Sequence, residues 1–330
     1  MLEHGGRLRA AAQRFGIPLG DWLDLSTGLA PYGWPLPPIP AAAWTRLPEL
    51  DDGLESAARD YYGVTRLLPV AGSQAAIQAL PRLRRNARVG LLAPAYAEHA
   101  AAWKREGHEL RQLDDGDIDR QLEGLDVLLL VNPNNPTGRR FAPAQLLAWH
   151  ARLAARGGWL VVDEAFIDCT PQHSLAAHSE LPGLIVLRSF GKFFGLAGIR
   201  LGFVLAQPAL LKQLAELLGP WTVSGPSRVV ATALLHDRVG QQAQRERLLA
   251  DGERLGELLR EHGLPPSGGC ALFHWIACER AAALHKWLAS QGILTRLFDS
   301  PASLRFGLPA DEPGWLRLEQ ALQLFTQEFV

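Results

Sequence analysis

Two hydrophobic periods alternate along most of the chain. From about residue 50 the apolar positions predict a helix over 54–62 and a short strand over 67–70 that ends at Ala71-Gly72-Ser73-Gln74. A helix over 75–83, a strand over 89–93 and a helix over 97–106 follow. Residues 127–131 are wholly apolar and predict a buried strand ending at Asn132-Pro133. A helix over 144–156 and strands over 159–163, 184–188 and 202–206 complete this part. Strands alternating with helices predict an α/β domain with a mostly parallel sheet.

Helical patterning dominates 208–262, and then a strand (271–277), a helix (281–291), a strand (304–307) and a helix (312–330) predict a smaller α+β domain. The first 45 residues read instead as an extended arm. Pro31, Pro35, Pro37, Pro38 and Pro40 exclude helix and central strand alike. Such an arm lies on a surface, its own or a partner subunit's. The expected organisation is an arm over 1–45, a large domain over 46–230 and a small domain over 231–330.

Length and charge narrow the function classes. A chain of 330 residues with 48% hydrophobic composition supports about two domains. Lys+Arg is 33 against Asp+Glu 34, a net charge of −1, so no strong field for nucleic acid or an anionic membrane is expected. Cys169, Cys270 and Cys278 form no C-x-x-C pair, and neither a metal site nor a disulfide framework is expected. Residues 1–7 lack a charged-then-apolar leader, and no run of about 18 apolar residues occurs. A soluble cytoplasmic protein without a membrane partner is the expectation.

Four segments carry candidate chemistry. Ala71-Gly72-Ser73-Gln74 lies between a strand and a helix, where backbone N–H groups can hold a phosphate; a plain turn is the alternative. Asn132-Pro133-Asn134-Asn135-Pro136-Thr137-Gly138 follows a buried strand, the end at which open α/β sheets bind ligands, although it could equally be a structural turn. Asp163-Glu164-Ala165-Phe166 closes another apolar strand, and a carboxylate there could keep a pyridine nitrogen protonated or simply cap a helix. Arg188 to Gly202 sets Lys192 among apolar and glycine residues, where desolvation favours the neutral amine that a Schiff base needs. Ser189 and Arg200 flank it and could clasp a phosphate.

The Asn132–Gly138 run, the Asp163–Phe166 run and Ser189-x-x-Lys192 followed by Arg200, in this order, resemble fold-type I enzymes that use pyridoxal 5′-phosphate (PLP), with the aspartate-aminotransferase-like fold. Within that group the chain is similar to the L-threonine-O-3-phosphate decarboxylases of cobalamin biosynthesis and to the histidinol-phosphate aminotransferases. The resemblance spans about residues 4–325. It implies that Lys192 binds PLP covalently and moves protons at the substrate carbon. Asp163 would pair with the pyridinium nitrogen, Asn135 would bond the ring hydroxyl and Tyr96 would stack on the ring. Ser73, Gln74, Ser189 and Arg200 would bind the cofactor phosphate, and Arg305 would clamp the substrate carboxylate by a bidentate contact. It also implies a homodimer. Two positions depart from the pattern. Phe166 stands where many members have a tyrosine, and Leu47 stands where relatives often have a tyrosine that reaches a neighbouring subunit's cofactor.

The resemblance also bears on the reaction. His4-Gly5-Gly6, the Asp24-Leu25-Ser26 segment and Phe166 are similar to the decarboxylase branch, although Ala30-Pro31 replaces its usual Asn-Pro. Arg296 and Arg305, nine residues apart, could hold a phosphate and a carboxylate together. The expectation is decarboxylation of L-threonine O-3-phosphate to (R)-1-aminopropan-2-yl phosphate and CO2, with His4, Arg296 and Arg305 on this phosphorylated amino acid. The alternatives are a histidinol-phosphate-type aminotransferase and a catalytically silent scaffold of the same fold.

Overall fold

The computed structural model describes residues 4–329; Met1–Glu3 of the expected arm and Val330 of the expected last helix lie outside the described residues. The strands in chain order are β1 (Leu23–Asp24), β2 (Leu68–Val70), β3 (Arg88–Leu92), β4 (Glu109–Leu113), β5 (Val127–Val131), β6 (Trp159–Asp163), β7 (Leu184–Ser189), β8 (Gly202–Leu205), β9 (Gly268–Cys270), β10 (Phe273–Ala277), β11 (Ile293–Leu294), β12 (Arg296–Asp299) and β13 (Ala302–Gly307). The chain divides into two compact units. One holds Trp34–Asn135 and Arg140–Gln244; the other holds the described residues up to Gly33, Pro136–Arg139 and the chain from Arg245 on.

The larger unit is built on seven strands in the order β2-β8-β7-β6-β5-β3-β4. β4, β3, β5, β6 and β7 run parallel, whereas β8 is antiparallel to both β7 and β2. Every residue of β5 and β7 is buried. Parallel strands covered on both faces need apolar side chains on both, which is why these runs do not alternate. On one face Val70, Ile77, Leu80, Val89, Trp103, Val127, Leu129, Val161, Ile185, Leu187, Val204 and Leu214 form one core. Each such side chain contributes about 1.5–3 kcal/mol by leaving water. The observed β5 and β6 match the expected strands to the residue. β4 was not expected, because Glu109, Arg111 and Gln112 make it a polar edge strand.

The smaller unit carries an antiparallel sheet in the order β12-β13-β10-β9. Helices Ala281–Ser290 and Glu312–Phe329 belong to the same unit. The expectation of a wholly extended arm is corrected here. Leu8–Phe15 forms a helix, and β1 pairs in parallel with β11, Leu23 with Ile293 and Asp24 with Leu294. Leu8, Ala11, Ala12 and Phe15 fall on one helical face and pack with Trp22, Ala289 and Leu294. The proline-rich stretch 31–40 does remain free of helix and strand. Among the described residues no helix is long and apolar enough to cross a membrane.

Candidate active site

The carboxyl ends of three adjacent strands deliver the central candidates. β5 runs into Asn132, whose amide is locked by Phe141: the Phe141 N–H donates to Oδ1 (2.8 Å) and Nδ2 donates to the Phe141 carbonyl (3.3 Å). Asn134 then donates to the Pro94 carbonyl at 2.9 Å. These bonds fix the turn that presents Asn135, which is half-buried. β6 ends at Asp163, only 3% exposed. Its Oδ1 accepts the Ala165 N–H at 3.0 Å, and its Oδ2 lies 2.8 Å from Nε2 of His99. β7 ends at Ser189 and passes directly into the short helix Phe190–Phe193 that carries Lys192.

Buried aromatics flank the lysine in sequence. Phe190, Phe193 and Phe194 are each about 1% exposed, and Phe190 stacks on Phe194 with centroids 4.1 Å apart. Lys192 Nζ lies 5.6 Å from the centre of the Phe166 ring. Phe166 thus lies beside the lysine without a hydroxyl to offer.

The phosphate candidates converge on two glycines. Gly202 pairs with Val70 of β2 and with Ser189 of β7. A Cβ on Gly202 would lie 2.5 Å from the Ser73 backbone nitrogen, so only glycine lets that N–H come so close. Gly72 has φ +70°, and a Cβ there would lie 2.6 Å from a guanidinium nitrogen of Arg200. Arg200 is itself left-handed at φ 53° and is exposed. Its turn is pinned where the Ser227 hydroxyl donates to the Ile199 carbonyl at 2.7 Å. Ser73, Ser189 and Arg200 therefore border one small cradle. The Gln74 side chain is engaged beside it, donating to Glu98 at 2.9 Å and accepting from the Tyr96 hydroxyl at 3.3 Å. Burial, with Glu98 and Asp163 nearby, pushes the Tyr96 phenol up to about 12, so it stays a donor.

Sequence reasoning missed three contributors. His99, 1% exposed, lies in the first turn of helix Ala97–Arg105, its ring centre 6.0 Å from that of Tyr96. Glu98 gathers the amides of Gln74 and Gln78. Arg188, just before Ser189, is buried between Glu164 (3.2 Å) and Asp168 (2.6 Å). Ser174 and the Leu175 N–H also bond Glu164, and Tyr61 donates to Asp168. Desolvation raises the Glu164 carboxyl despite the cation beside it. This network joins the loop after β6 to β7, the strands that carry Asp163 and Ser189.

The three substrate candidates belong to the smaller unit. Arg305 on β13 is 6% exposed and donates to the Ser26 carbonyl at 2.7 Å, with its guanidinium 5.2 Å from the Phe273 ring centre. Burial, opposed by Cys270 and Asp24 and aided by Arg296, lowers it to about 10. Arg296 is the residue directly opposite on β12. Two guanidinium groups at one register position suit an anion between them. His4 is exposed and leads into Gly5-Gly6.

The larger unit's residues fit PLP. A buried carboxylate is present for the pyridine nitrogen, an amide for the ring hydroxyl and a lysine for the aldehyde. The cradle that side chains at Gly72 and Gly202 would fill suits the phosphate.

The family model for aminotransferase class I and II matches residues 44–322. A threonine-phosphate decarboxylase from Pseudomonas aeruginosa is 67% identical over 99% of this chain and 99% of its own length. Another, from a Sinorhizobium species, is 46% identical over 97% of each. The crystal structure of histidinol-phosphate aminotransferase from Sinorhizobium meliloti in complex with pyridoxal-5′-phosphate superposes with a TM-score of 0.85 at 19% identity, covering 100% of this chain and 96% of that one. At that identity the likeness speaks for the fold alone, the α/β architecture expected from the motifs. On the family match over most of its length, the chain belongs to the class I and II aminotransferases.

Proposed function

We propose that the chain is a PLP-dependent decarboxylase of L-threonine O-3-phosphate that yields (R)-1-aminopropan-2-yl phosphate and CO2 for cobalamin biosynthesis. The observation that carries this is the 67% identity with a threonine-phosphate decarboxylase over 99% of both chains. The retained Lys192, Asp163 and Asn135 speak against a silent scaffold.

When bound, PLP takes up the electron pair left as a bond to the substrate's Cα breaks. The protein's own residues supply the rest. Lys192 would hold the cofactor through its side-chain nitrogen and would deliver the proton that Cα takes up. Asp163 keeps the pyridine nitrogen protonated and is itself held by His99 at 2.8 Å. Asn135 donates to the ring oxygen, and Tyr96 covers the ring. Ser73, Ser189 and Arg200 hold the cofactor phosphate, with Gln74 fixing Tyr96. Arg305 and Arg296 take the two anionic ends of the substrate, assisted by His4. By setting how the substrate is held, these cations would choose between loss of CO2 and loss of the α-proton.

The working form is a cytoplasmic homodimer. Trp44, Leu47, Leu50 and Trp221 of the larger unit are 59–82% exposed. Helix Ala42–Thr45 packs tightly on the start of helix Gly225–His236, where a Cβ on Gly225 would lie 2.3 Å from the Ala43 carbonyl. Exposed apolar groups of this kind mark a protein interface. Incubation with threonine phosphate, and separately with histidinol phosphate plus 2-oxoglutarate, tests the function. CO2 release without an amino acceptor supports the proposal; acceptor-dependent turnover of histidinol phosphate refutes it.

A further inference from the structure

The segment Asp24-Leu25-Ser26 runs between β11 and the end of β13. The Leu25 N–H donates to the Leu294 carbonyl at 2.8 Å, and the Leu25 carbonyl accepts the Gly307 N–H at 2.7 Å. This fixes Ser26, which is 2% exposed. Its polar atoms are all engaged. The Ser26 N–H and hydroxyl both donate to Asp24 Oδ1, at 2.9 and 2.5 Å. With the hydroxyl proton committed to Asp24, the oxygen accepts the Gly6 N–H at 2.7 Å. The Ser26 carbonyl accepts Nη2 of Arg305 at 2.7 Å. Gly5 lies flat on the same residue: a Cβ there would be 2.2 Å from the Ser26 carbonyl oxygen. Gly6 has φ +77°, a conformation that glycine adopts without strain.

We propose that Ser26, oriented by Asp24, is a positioning residue for the substrate: its carbonyl sets the Arg305 guanidinium while its hydroxyl seats the His4-Gly5-Gly6 turn, so that cation and turn are held at one spacing. That spacing serves an amino acid with an anion at each end. The inference rests on the decarboxylase reading, because it concerns how that substrate is held. It explains why two glycines follow His4, since a side chain on Gly5 would push the Ser26 carbonyl away from Arg305. It also gives Asp24 a function through Ser26, without contact to the substrate.

The test compares Ser26→Ala, Asp24→Asn and Gly5→Ala in the PLP-loaded enzyme. Losing one hydrogen bond to a charged or ligand-holding group corresponds to about a tenfold change or more. KM for threonine phosphate should therefore rise about tenfold in each, with kcat within about twofold and the visible cofactor band unchanged. In an Arg305→Lys background the effect of Gly5→Ala should shrink, because both changes act on one contact. Unchanged KM in all three variants overturns the proposal. So does a parallel loss of kcat and cofactor band, which means a structural role, or full additivity with Arg305→Lys. If Ser26→Ala does not fold, the other two variants decide. CO2 release by the wild type reports separately on the decarboxylase reading. If the wild type turns over a different phosphorylated amine, that reading fails and the same KM ratios on that substrate still judge Ser26.

Discussion

His99 holds Asp163 in a place shielded from water: Nε2 lies 2.8 Å from Oδ2, and the two side chains are 2% and 4% exposed. The other carboxylate oxygen is held by the Ala165 N–H. Each carboxylate oxygen of Asp163 is thus held by a group of its own chain. Replacing His99 with Ala should cost about 1.5–3 kcal/mol of that support, lowering kcat about tenfold or more and weakening cofactor retention. Steady-state kinetics with a cofactor-release assay check this. Wild-type values in both would show that Asp163 is positioned without its neighbour.

Phe166 lies against Lys192 and offers no hydroxyl. Phe166→Tyr would add a donor to the cofactor's ring oxygen. That donor favours the form in which the oxygen carries its charge alone, so the Lys192–cofactor linkage should lose its proton at lower pH. The midpoint of the visible-band titration should fall by about one pH unit. A rise would place the new hydroxyl elsewhere.

Gly202 keeps the Ser73 N–H and the Ser189 strand end together. A Cβ there would meet backbone at 2.5 Å from Ser73 N and 2.8 Å from the Arg188 carbonyl. Because backbone cannot rotate aside, Gly202→Ala should raise the cofactor Kd about tenfold. Equilibrium dialysis of PLP measures this, and an unchanged Kd would remove the phosphate from this cradle.

Arg188 compensates two buried carboxylates, Glu164 and Asp168. Arg188→Met should destabilise the fold by about 3–5 kcal/mol, since it leaves those charges unpaired. The sign of the pH dependence follows from Glu164, whose carboxyl is already raised by desolvation. A group raised on folding favours the folded state below its unfolded pKa and disfavours it as pH climbs through the folded one. The deficit of the variant should therefore narrow on acidification, as Glu164 takes up a proton. Denaturant melts across pH check it, and a deficit that widens in acid would contradict the network's role.

Much of the fold was legible because burial on both faces writes itself as unbroken apolar runs. Val127–Val131 and the run ending at Asp163 could hardly be read otherwise. Features set by tertiary context were not legible. β9 is Gly268-Gly269-Cys270, with little strand propensity, and its partner β10 determines it. The arm helix was hidden because the nearby prolines dominated the reading, although Leu8, Ala11 and Phe15 carried the spacing. Lys192, Asn135 and Asp163 stood out through their motifs. His99 did not, because a histidine within a helix carries no signal until the structure places it on Asp163. Ser26 was visible only as part of a resemblance, and its link to Arg305 spans 279 positions of sequence.

The most direct measurement follows the carboxyl carbon of the substrate. Purified protein loaded with PLP is given threonine phosphate labelled at the carboxyl carbon, with no amino acceptor present. The account predicts one labelled CO2 for each molecule of (R)-1-aminopropan-2-yl phosphate formed, and none from Lys192→Ala. Label retained in an oxo acid, or turnover only when 2-oxoglutarate is added, would contradict it.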